Sequence, residues 1–206
     1  MSPKSTVRIL KVVLWIAALA PAAWLVRGVL QGTLGANPIE TLTHTTGMTA
    51  LVLLLVTLAV SPVRKLSGWN PVIRLRRPLG LFAFFYAVGH FSIWFAFDMV
   101  FNVGWMLEDI AERRFITVGM AALLLLTPLA ITSTRGWIRR LGKRWAKLHR
   151  LVYVATGLGI LHYFWLVKSD YRLPSLLAVC LLILLIARLP LSRLTPPREP
   201  VERSTG

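Results

Sequence analysis

The charged residues of this chain divide it into six long stretches that contain no charge. Each stretch is close to the roughly 20 residues, range about 17 to 25, that an α-helix needs to cross a bilayer. The first and last are only 15 residues long, but leucines continue them past single charges that can reach the interface. The six stretches are Val12–Val26, Thr41–Val63, Pro78–Phe97, Phe115–Thr134, Leu151–Val167 and Leu173–Ala187. The pattern predicts an all-α integral membrane protein, built as a six-transmembrane-helix bundle.

The composition agrees with one membrane domain and leaves little room for anything else. Of the 206 residues, 56% are hydrophobic and 16% are charged, which is unlike a soluble globular protein. A second soluble domain would need about 100 residues. We therefore predict a membrane domain over residues 1–194 and a short Pro-rich cytoplasmic tail over 195–206. The N-terminal stretch also resembles a secretory signal peptide, although its apolar run continues beyond Pro21 to Val26, which favours a retained helix.

The distribution of charge predicts the orientation. The chain has 24 basic and 8 acidic residues and a net charge of +16, which in a soluble protein would suggest nucleic acid. If the N-terminus is cytoplasmic, however, 19 of the 24 basic residues fall on the cytoplasmic side, as the positive-inside rule requires. Both termini are then cytoplasmic, the basic loops contact anionic membrane lipids, and no nucleic-acid partner is expected.

The connection between spans 3 and 4, from Asp98 to Arg114, is long and combines apolar residues with acids. Such a segment is typical of a short helix at the membrane interface. We expect it on the outer face, where it is a candidate surface for docking an external partner.

Histidine is the polar residue that stands out within the spans, which contain no acid. His90 lies 13 residues after Arg77, and His162 lies 13 residues after His149. Because spans 3 and 5 run in the same direction, these 13 residues, about 20 Å of helix, place His90 and His162 at similar depth. Two imidazoles at one level on neighbouring helices are what a hexacoordinate haem iron requires.

The remaining histidines and the cysteine have more open interpretations. His149 is too far from His162 to share its iron, so it serves a second inner haem or a flavin, or anchors a propionate or a loop. His44, at the outer end of span 2, is a contact to the haem edge, a quinone contact or an interface residue. The single cysteine, Cys180, excludes an intramolecular disulfide and a thiolate metal cluster.

These residues carry a resemblance to a known family. Gly89 and His90 in span 3, the Leu148–Leu151 start of span 5, His162, and the Arg76–Gly80 entry to span 3 resemble the ferric reductase-like transmembrane domain. Longer members place two histidines on the third helix and two on the fifth, whereas span 3 here has only His90, with Arg77 at the inner level. Arginine stays protonated and ligates iron poorly, so Arg77 is better suited to a haem propionate or a flavin phosphate.

The resemblance implies a function. The short bacterial form of this family, which lacks a flavin and NADPH domain, is the haem-binding subunit of a periplasmic methionine sulfoxide reductase system in the inner membrane. By this resemblance the chain binds haem b and FMN and takes electrons from the quinone pool or a cytoplasmic flavin reductase. It would pass them, as a heterodimer, to a periplasmic molybdopterin-containing catalytic subunit that repairs oxidised proteins. Its own side chains would carry out no bond-making catalysis.

Within such a site, aromatic residues near the two histidines would keep water from the iron. The candidates are Phe91, Trp94, Tyr163, Phe164 and Trp165. Two other classes stay open: a transporter in which His44, His90 and His162 bind a transition metal or relay protons, and an assembly subunit whose histidines only hold helices together.

Overall fold

The computed structural model describes residues 3–188, and within that range all regular structure is helical. A 3₁₀ turn, Asn70–Leu75, leads into the third α-helix, and a π-helical turn, Trp94–Asp98, follows it. The predicted tail, 195–206, lies outside the described residues. The α-helices are α1 (Pro3–Gln31), α2 (Pro38–Ser67), α3 (Arg76–Ile93), α4 (Val103–Glu112), α5 (Arg114–Ile131), α6 (Arg135–Leu141), α7 (Lys143–Leu148), α8 (Leu151–Leu166) and α9 (Arg172–Ile186).

Four helical segments among the described residues are long and apolar enough to cross a membrane. They are Ser5–Gln31, Pro38–Ser67, Asn70–Asp98 and Arg114–Ile131. The predicted fifth and sixth spans are also helical, but α8 and α9 have only 16 and 15 residues. The prediction of an all-α, multi-pass membrane protein is therefore confirmed. The count of six crossings and the cytoplasmic termini stay predictions.

The ends of α2 are fixed by local signals in the sequence. The side chain of Asn37 accepts a hydrogen bond from the backbone N–H of Glu40, and Pro38 occupies the first helical position, where its missing N–H costs nothing. At the other end, Gly68 caps the helix with φ of 66°, a left-handed conformation that glycine adopts without a Cβ clash. These signals set where α2 begins and therefore the level of its residues in the bundle.

The core is formed by two antiparallel helix pairs, α2 with α3 and α5 with α8, which pack more extensively than any other elements. Gly47 lies against His90 near one end of the first pair, and Gly80 lies against Thr57 near the other. Ala83 on α3 and Ala155 on α8 are fully buried, which lets the helices approach closely. The buried cluster between the pairs is Leu54, Leu58, Ala83, Leu126, Leu129, Val152 and Ala155.

Many large apolar side chains remain exposed along the helices. On α1, for example, Ile16 is 65% exposed and Val26 is 59% exposed. A helix that is apolar on its exposed side as well as its packed side is typical of contact with lipid. The apolar surface is thus the membrane-facing surface of the bundle.

Helix α1 continues through Pro21, and Tyr86 of α3 occupies the gap that results. The Tyr86 hydroxyl donates to the carbonyl of Ala18 at 2.6 Å and accepts from the N–H of Ala22 at 3.1 Å. Proline lacks an N–H and disrupts the helical ladder around it, and an inserted side chain is a recognised partner for such a break. This contact joins α1 to the core pair α2–α3.

The two ends of the bundle differ in charge, and we name them accordingly. The acidic end is where α2 begins and α3 ends, and it carries Glu40 and the acids of α4. The basic end is where α2 ends and α8 begins, and it carries Arg64, Lys65 and the cations of α6 and α7.

The predicted interfacial segment contains α4, which packs on α5 at the acidic end. A turn at Val100 and Phe101, with φ of 49° and 58°, leads into it. Positive φ is unusual for a β-branched residue such as valine. Asp109 is buried at 7% exposure and pairs with Arg113 at 2.7 Å.

Candidate functional site

The two histidines predicted to lie at one depth face each other across the bundle near its acidic end. The ring centroids of His90 on α3 and His162 on α8 are 6.0 Å apart, and the ring planes are inclined at 85°. Metal–imidazole bonds of about 2.0–2.1 Å place two liganding nitrogens about 4 Å apart across one metal. The centroid of a liganding imidazole lies farther from the metal than its nitrogen does, so the two centroids must be more than about 4 Å apart. The observed separation of 6.0 Å between the centroids therefore fits a single iron between the rings.

Backbone carbonyls orient both imidazoles. Nδ1 of His90 lies 2.9 Å from the carbonyl oxygen of Thr43, and Nδ1 of His162 lies 2.6 Å from that of Phe115. A carbonyl only accepts, so each Nδ1 carries the proton and Nε2 keeps its free lone pair. A second ring nitrogen that donates to a carbonyl is the usual arrangement of a metal-liganding histidine. Both residues would therefore be suited to hold a haem iron.

A glycine on the neighbouring helix makes room for each ring. A Cβ on Gly47 of α2 would stand 2.9 Å from Nδ1 of His90, and a Cβ on Gly119 of α5 would stand 2.7 Å from Nδ1 of His162. Both distances are shorter than atoms at van der Waals contact allow, so alanine at either position would force the ring or the helix to move.

The two halves of this site repeat one another in sequence and in structure. Each histidine bonds a carbonyl 47 residues before it and packs on the glycine one helical turn after that carbonyl. The segments around the glycines, Gly47–Leu51 and Gly119–Leu123, share glycine, methionine, alanine and leucine at matching positions. The histidines alone did not predict these carbonyls and glycines. The similarity of the two segments was the feature of the sequence that could have revealed them.

The aromatic residues that the sequence singled out differ in burial. Phe91, Trp94, Tyr163 and Phe164 are half-buried, whereas Trp165 is 48% exposed. Their role in keeping water from the iron stays a prediction. Phe115, which the sequence did not single out, lies against the His162 ring with centroids 5.8 Å apart.

His149 lies separately, at the basic end just before α8. Its ring stacks on Trp145 with centroids 3.9 Å apart and an interplanar angle of 27°, and Nδ1 lies 3.2 Å from the Trp145 carbonyl. Nε2 is buried and has no hydrogen-bond partner among the described residues. Burial lowers the pKa of His149, and the nearby charge of Arg76 lowers it further, so the ring is neutral near pH 7 and can ligate or accept a proton.

Arg77 and His44 do not join these two sites directly. Arg77 is exposed, and none of the contacts described for residues 3–188 connects it to His149, whereas Arg76 is half-buried and acts on that ring electrostatically. His44 is exposed and lies edge-on to Tyr163, with ring centroids 6.3 Å apart. The cofactor role of Arg77 and the role of His44 stay predictions.

Most of the helical region that contains the site matches a known family. Residues 46–160 match the family described as "Ferric reductase like transmembrane component", and the matched region includes both glycines, His90 and His149.

Curated relatives resemble nearly the whole chain. A protein of Herminiimonas arsenicoxydans is 52% identical over 87% of this chain and 84% of its own length. A protein of Rhodospirillum rubrum is 49% identical over 88% of each, and one of Deinococcus radiodurans is 50% identical over 84% of this chain and 86% of its own. Each is named "Protein-methionine-sulfoxide reductase heme-binding subunit MsrQ". Identity at this level and coverage shows that the chain belongs to the MsrQ family of ferric reductase-like transmembrane proteins.

Proposed function

We propose that this chain is a membrane electron-transfer subunit that holds a b-type haem between His90 and His162. The observation that carries the proposal is the opposed pair of rings, 6.0 Å apart, with both Nδ1 atoms engaged by carbonyls. A haem bound there would supply an iron that accepts and releases one electron at a time. The relatives named as haem-binding subunits support this assignment.

The chain's own residues would bind and orient the haem. The carbonyls of Thr43 and Phe115 fix the tautomer and the rotation of each ring, which also raises the basicity of the liganding nitrogen. Gly47 and Gly119 allow α2 and α5 to approach the rings. Half-buried Phe115, which lies against the His162 ring, would keep the dielectric of the site low and exclude water, which tunes the reduction potential.

The proposed topology has six crossings with both termini in the cytoplasm of a bacterial cell, within the inner membrane. The cations at the basic end support it through the positive-inside rule. Helices α8 and α9 would each cover about 22–24 Å at 1.5 Å per residue, which is short of the roughly 30 Å hydrocarbon core. Local thinning of the bilayer and flanking residues that reach the interface would accommodate that mismatch.

The proposed electron path runs from the basic, cytoplasmic end to the acidic, periplasmic end. His90 and His162 lie near the acidic end, which is close to an acceptor outside the membrane. The names of the relatives support an acceptor that reduces methionine sulfoxide in proteins, which we propose to be a periplasmic molybdopterin-containing subunit that forms a heterodimer with this chain. The donor would be the quinone pool or a cytoplasmic flavin reductase, and FMN is proposed from the family resemblance alone, with Arg77 as a candidate phosphate contact.

A metal transporter is the less favoured alternative. Among residues 3–188, no group of three or more His, Cys, Asp or Glu side chains is placed to hold a metal ion. A tetrahedral site for a transition metal needs more protein ligands than His90 and His162 supply.

The proposal is tested by purifying the full chain in detergent from haem-replete cells. We expect oxidised and dithionite-reduced spectra of b type and, in a pyridine haemochrome assay, at least one haem per chain. A folded, colourless and haem-free protein would overturn the proposal, and metal analysis of the same sample would then test the transporter alternative.

A further inference from the structure

The basic end of the bundle contains a second cluster of polar groups whose hydrogen bonding is incomplete. Nε2 of His149 and Nε of Arg188 are both buried, and neither has a partner among the described residues. Buried polar atoms are nearly always hydrogen-bonded, so an orphaned atom indicates a missing partner. Two orphaned atoms at the same end of the bundle point to a ligand.

Arg188 turns inward from the end of α9 instead of extending into solvent. Its guanidinium donates to the hydroxyl of Tyr153 and to the backbone carbonyl of Leu58, and its central carbon lies 4.9 Å from the centroid of the Tyr153 ring. Leu58 is fully buried. The guanidinium is thus anchored at the surface of the four-helix core.

Helix α2 provides a backbone acceptor at each end of the bundle. At the acidic end, the carbonyl of Thr43 lies 2.9 Å from Nδ1 of His90. At the basic end, the carbonyl of Leu58 accepts a hydrogen bond from the guanidinium of Arg188.

The cluster is positively charged and lacks an acidic partner. Arg76 lies close enough to act electrostatically on both His149 and Arg188. The ion pair found among the described residues joins Arg113 to Asp109 at the opposite end, so no carboxylate of the described chain compensates Arg76 or Arg188. Partly buried cations without a counter-ion are costly. A guanidinium matches a carboxylate or a phosphate through paired hydrogen bonds.

We propose that Arg188, Arg76, Tyr153 and His149 form an anion-binding pocket at the basic end that takes the carboxylate or phosphate group of a bound molecule. The guanidinium of Arg188 contacts the anion, Arg76 supplies further positive charge, and Nε2 of His149 faces the same molecule. The source of the anion is the propionate of a porphyrin, the phosphate of a flavin, or the headgroup of an anionic lipid. The pocket does not depend on a haem between His90 and His162.

The test uses the full chain in nanodiscs that contain phosphatidylcholine with a small fraction of phosphatidylglycerol. Haem, FMN and phosphatidylglycerol that remain with the washed protein are quantified by mass spectrometry for wild type, Arg188→Gln and Arg76→Gln. Arg64→Gln is the matched control, because Arg64 is an exposed arginine at the same end. We expect one of the three molecules to bind about 10-fold or more weakly in Arg188→Gln, the effect of losing a charge-assisted hydrogen bond, and to be unchanged in Arg64→Gln.

The identity of the molecule that is lost tells the three sources apart. Arg188→Lys should restore part of the binding, because it keeps the charge but not the paired geometry. If Arg188→Gln does not fold, Tyr153→Phe, which removes only a hydroxyl, should weaken retention of the same molecule relative to Arg64→Gln. Equal retention of all three molecules in folded Arg188→Gln or Tyr153→Phe and in Arg64→Gln would overturn the pocket. A normal spectrum of the haem at His90 and His162 in these variants would show that the proposed function stands even if the anion-binding pocket does not exist.

Discussion

The ring planes of His90 and His162 are almost perpendicular, at 85°, with their centroids 6.0 Å apart. Each ring is held by a carbonyl of a different helix, α2 for His90 and α5 for His162, so neither is free to rotate toward the other. The angle is therefore a property of the helix packing.

This angle predicts the magnetic behaviour of a haem bound between the two rings. Perpendicular imidazole planes leave two iron orbitals close in energy, and a low-spin ferric iron then shows a strongly anisotropic electron paramagnetic resonance signal. We expect such a signal from the oxidised wild-type protein. A rhombic signal typical of parallel rings would show that the imidazoles do not keep this arrangement.

The glycines beside the rings should be sensitive to the addition of one methyl group. Gly119→Ala places a Cβ 2.7 Å from Nδ1 of His162, and Gly47→Ala places one 2.9 Å from Nδ1 of His90. Overpacking of this kind costs about 1–3 kcal/mol, and displacement of the ring should lower haem content and shift the reduction potential. Gly157→Ala is the control, because its Cβ would meet no atom within 4 Å. Haem content equal in all three variants would contradict the proposed role of the glycines.

His149 should make stability depend on pH. In the unfolded chain His149 takes up its proton near the usual pKa of about 6.5. Burial lowers the pKa of His149 in the folded chain, so the folded chain binds this proton only at a lower pH. In that window the unfolded state binds more protons, so stability falls as the pH falls. The unfolding temperature in detergent should drop between about pH 7.5 and 5.5, and drop less in His149→Phe, which keeps an aromatic ring against Trp145. An equal drop in both proteins would show that His149 does not contribute.

The hydroxyl of Tyr86 should stabilise the junction of α1 with the core. Tyr86→Phe removes the bridge between the Ala18 carbonyl and the Ala22 N–H and should cost about 0.5–1.5 kcal/mol, measured as a lower unfolding temperature with unchanged haem content. Tyr171→Phe is the matched control, since its exposed hydroxyl makes only a 3.5 Å contact with the Lys168 carbonyl. If the two variants unfold alike, the bridge adds no stability.

The sequence contained enough information to place the helices and the depth of the histidines. Charge-free runs locate the helices because a bilayer excludes charge, and residue counts along α3 and α8 brought His90 and His162 to one level. Counting also separated His149 from His162, as the structure has it. The membrane family was recognisable from the same residues.

What the sequence could not give was the rotation of each helix about its axis. Arg76 and Arg77 are neighbours, yet only the rotation of α3 decides that Arg76 lies near His149 while Arg77 is exposed. Similarly, the contact of Arg188 with Leu58 joins residues 130 positions apart. Such contacts depend on how helices pack against one another, which the periodicity of a single helix does not determine.

The most direct measurement is the reduced visible spectrum of purified His90→Ala and His162→Ala, with Val154→Ala, at an exposed position of α8, as the control, before and after addition of free imidazole. We expect each of the two histidine variants to lose the haem bound by the pair and imidazole to restore part of it by filling the vacated ring position. We expect Val154→Ala to be unchanged. A wild-type haem spectrum in either His90→Ala or His162→Ala would contradict a haem held between the two histidines.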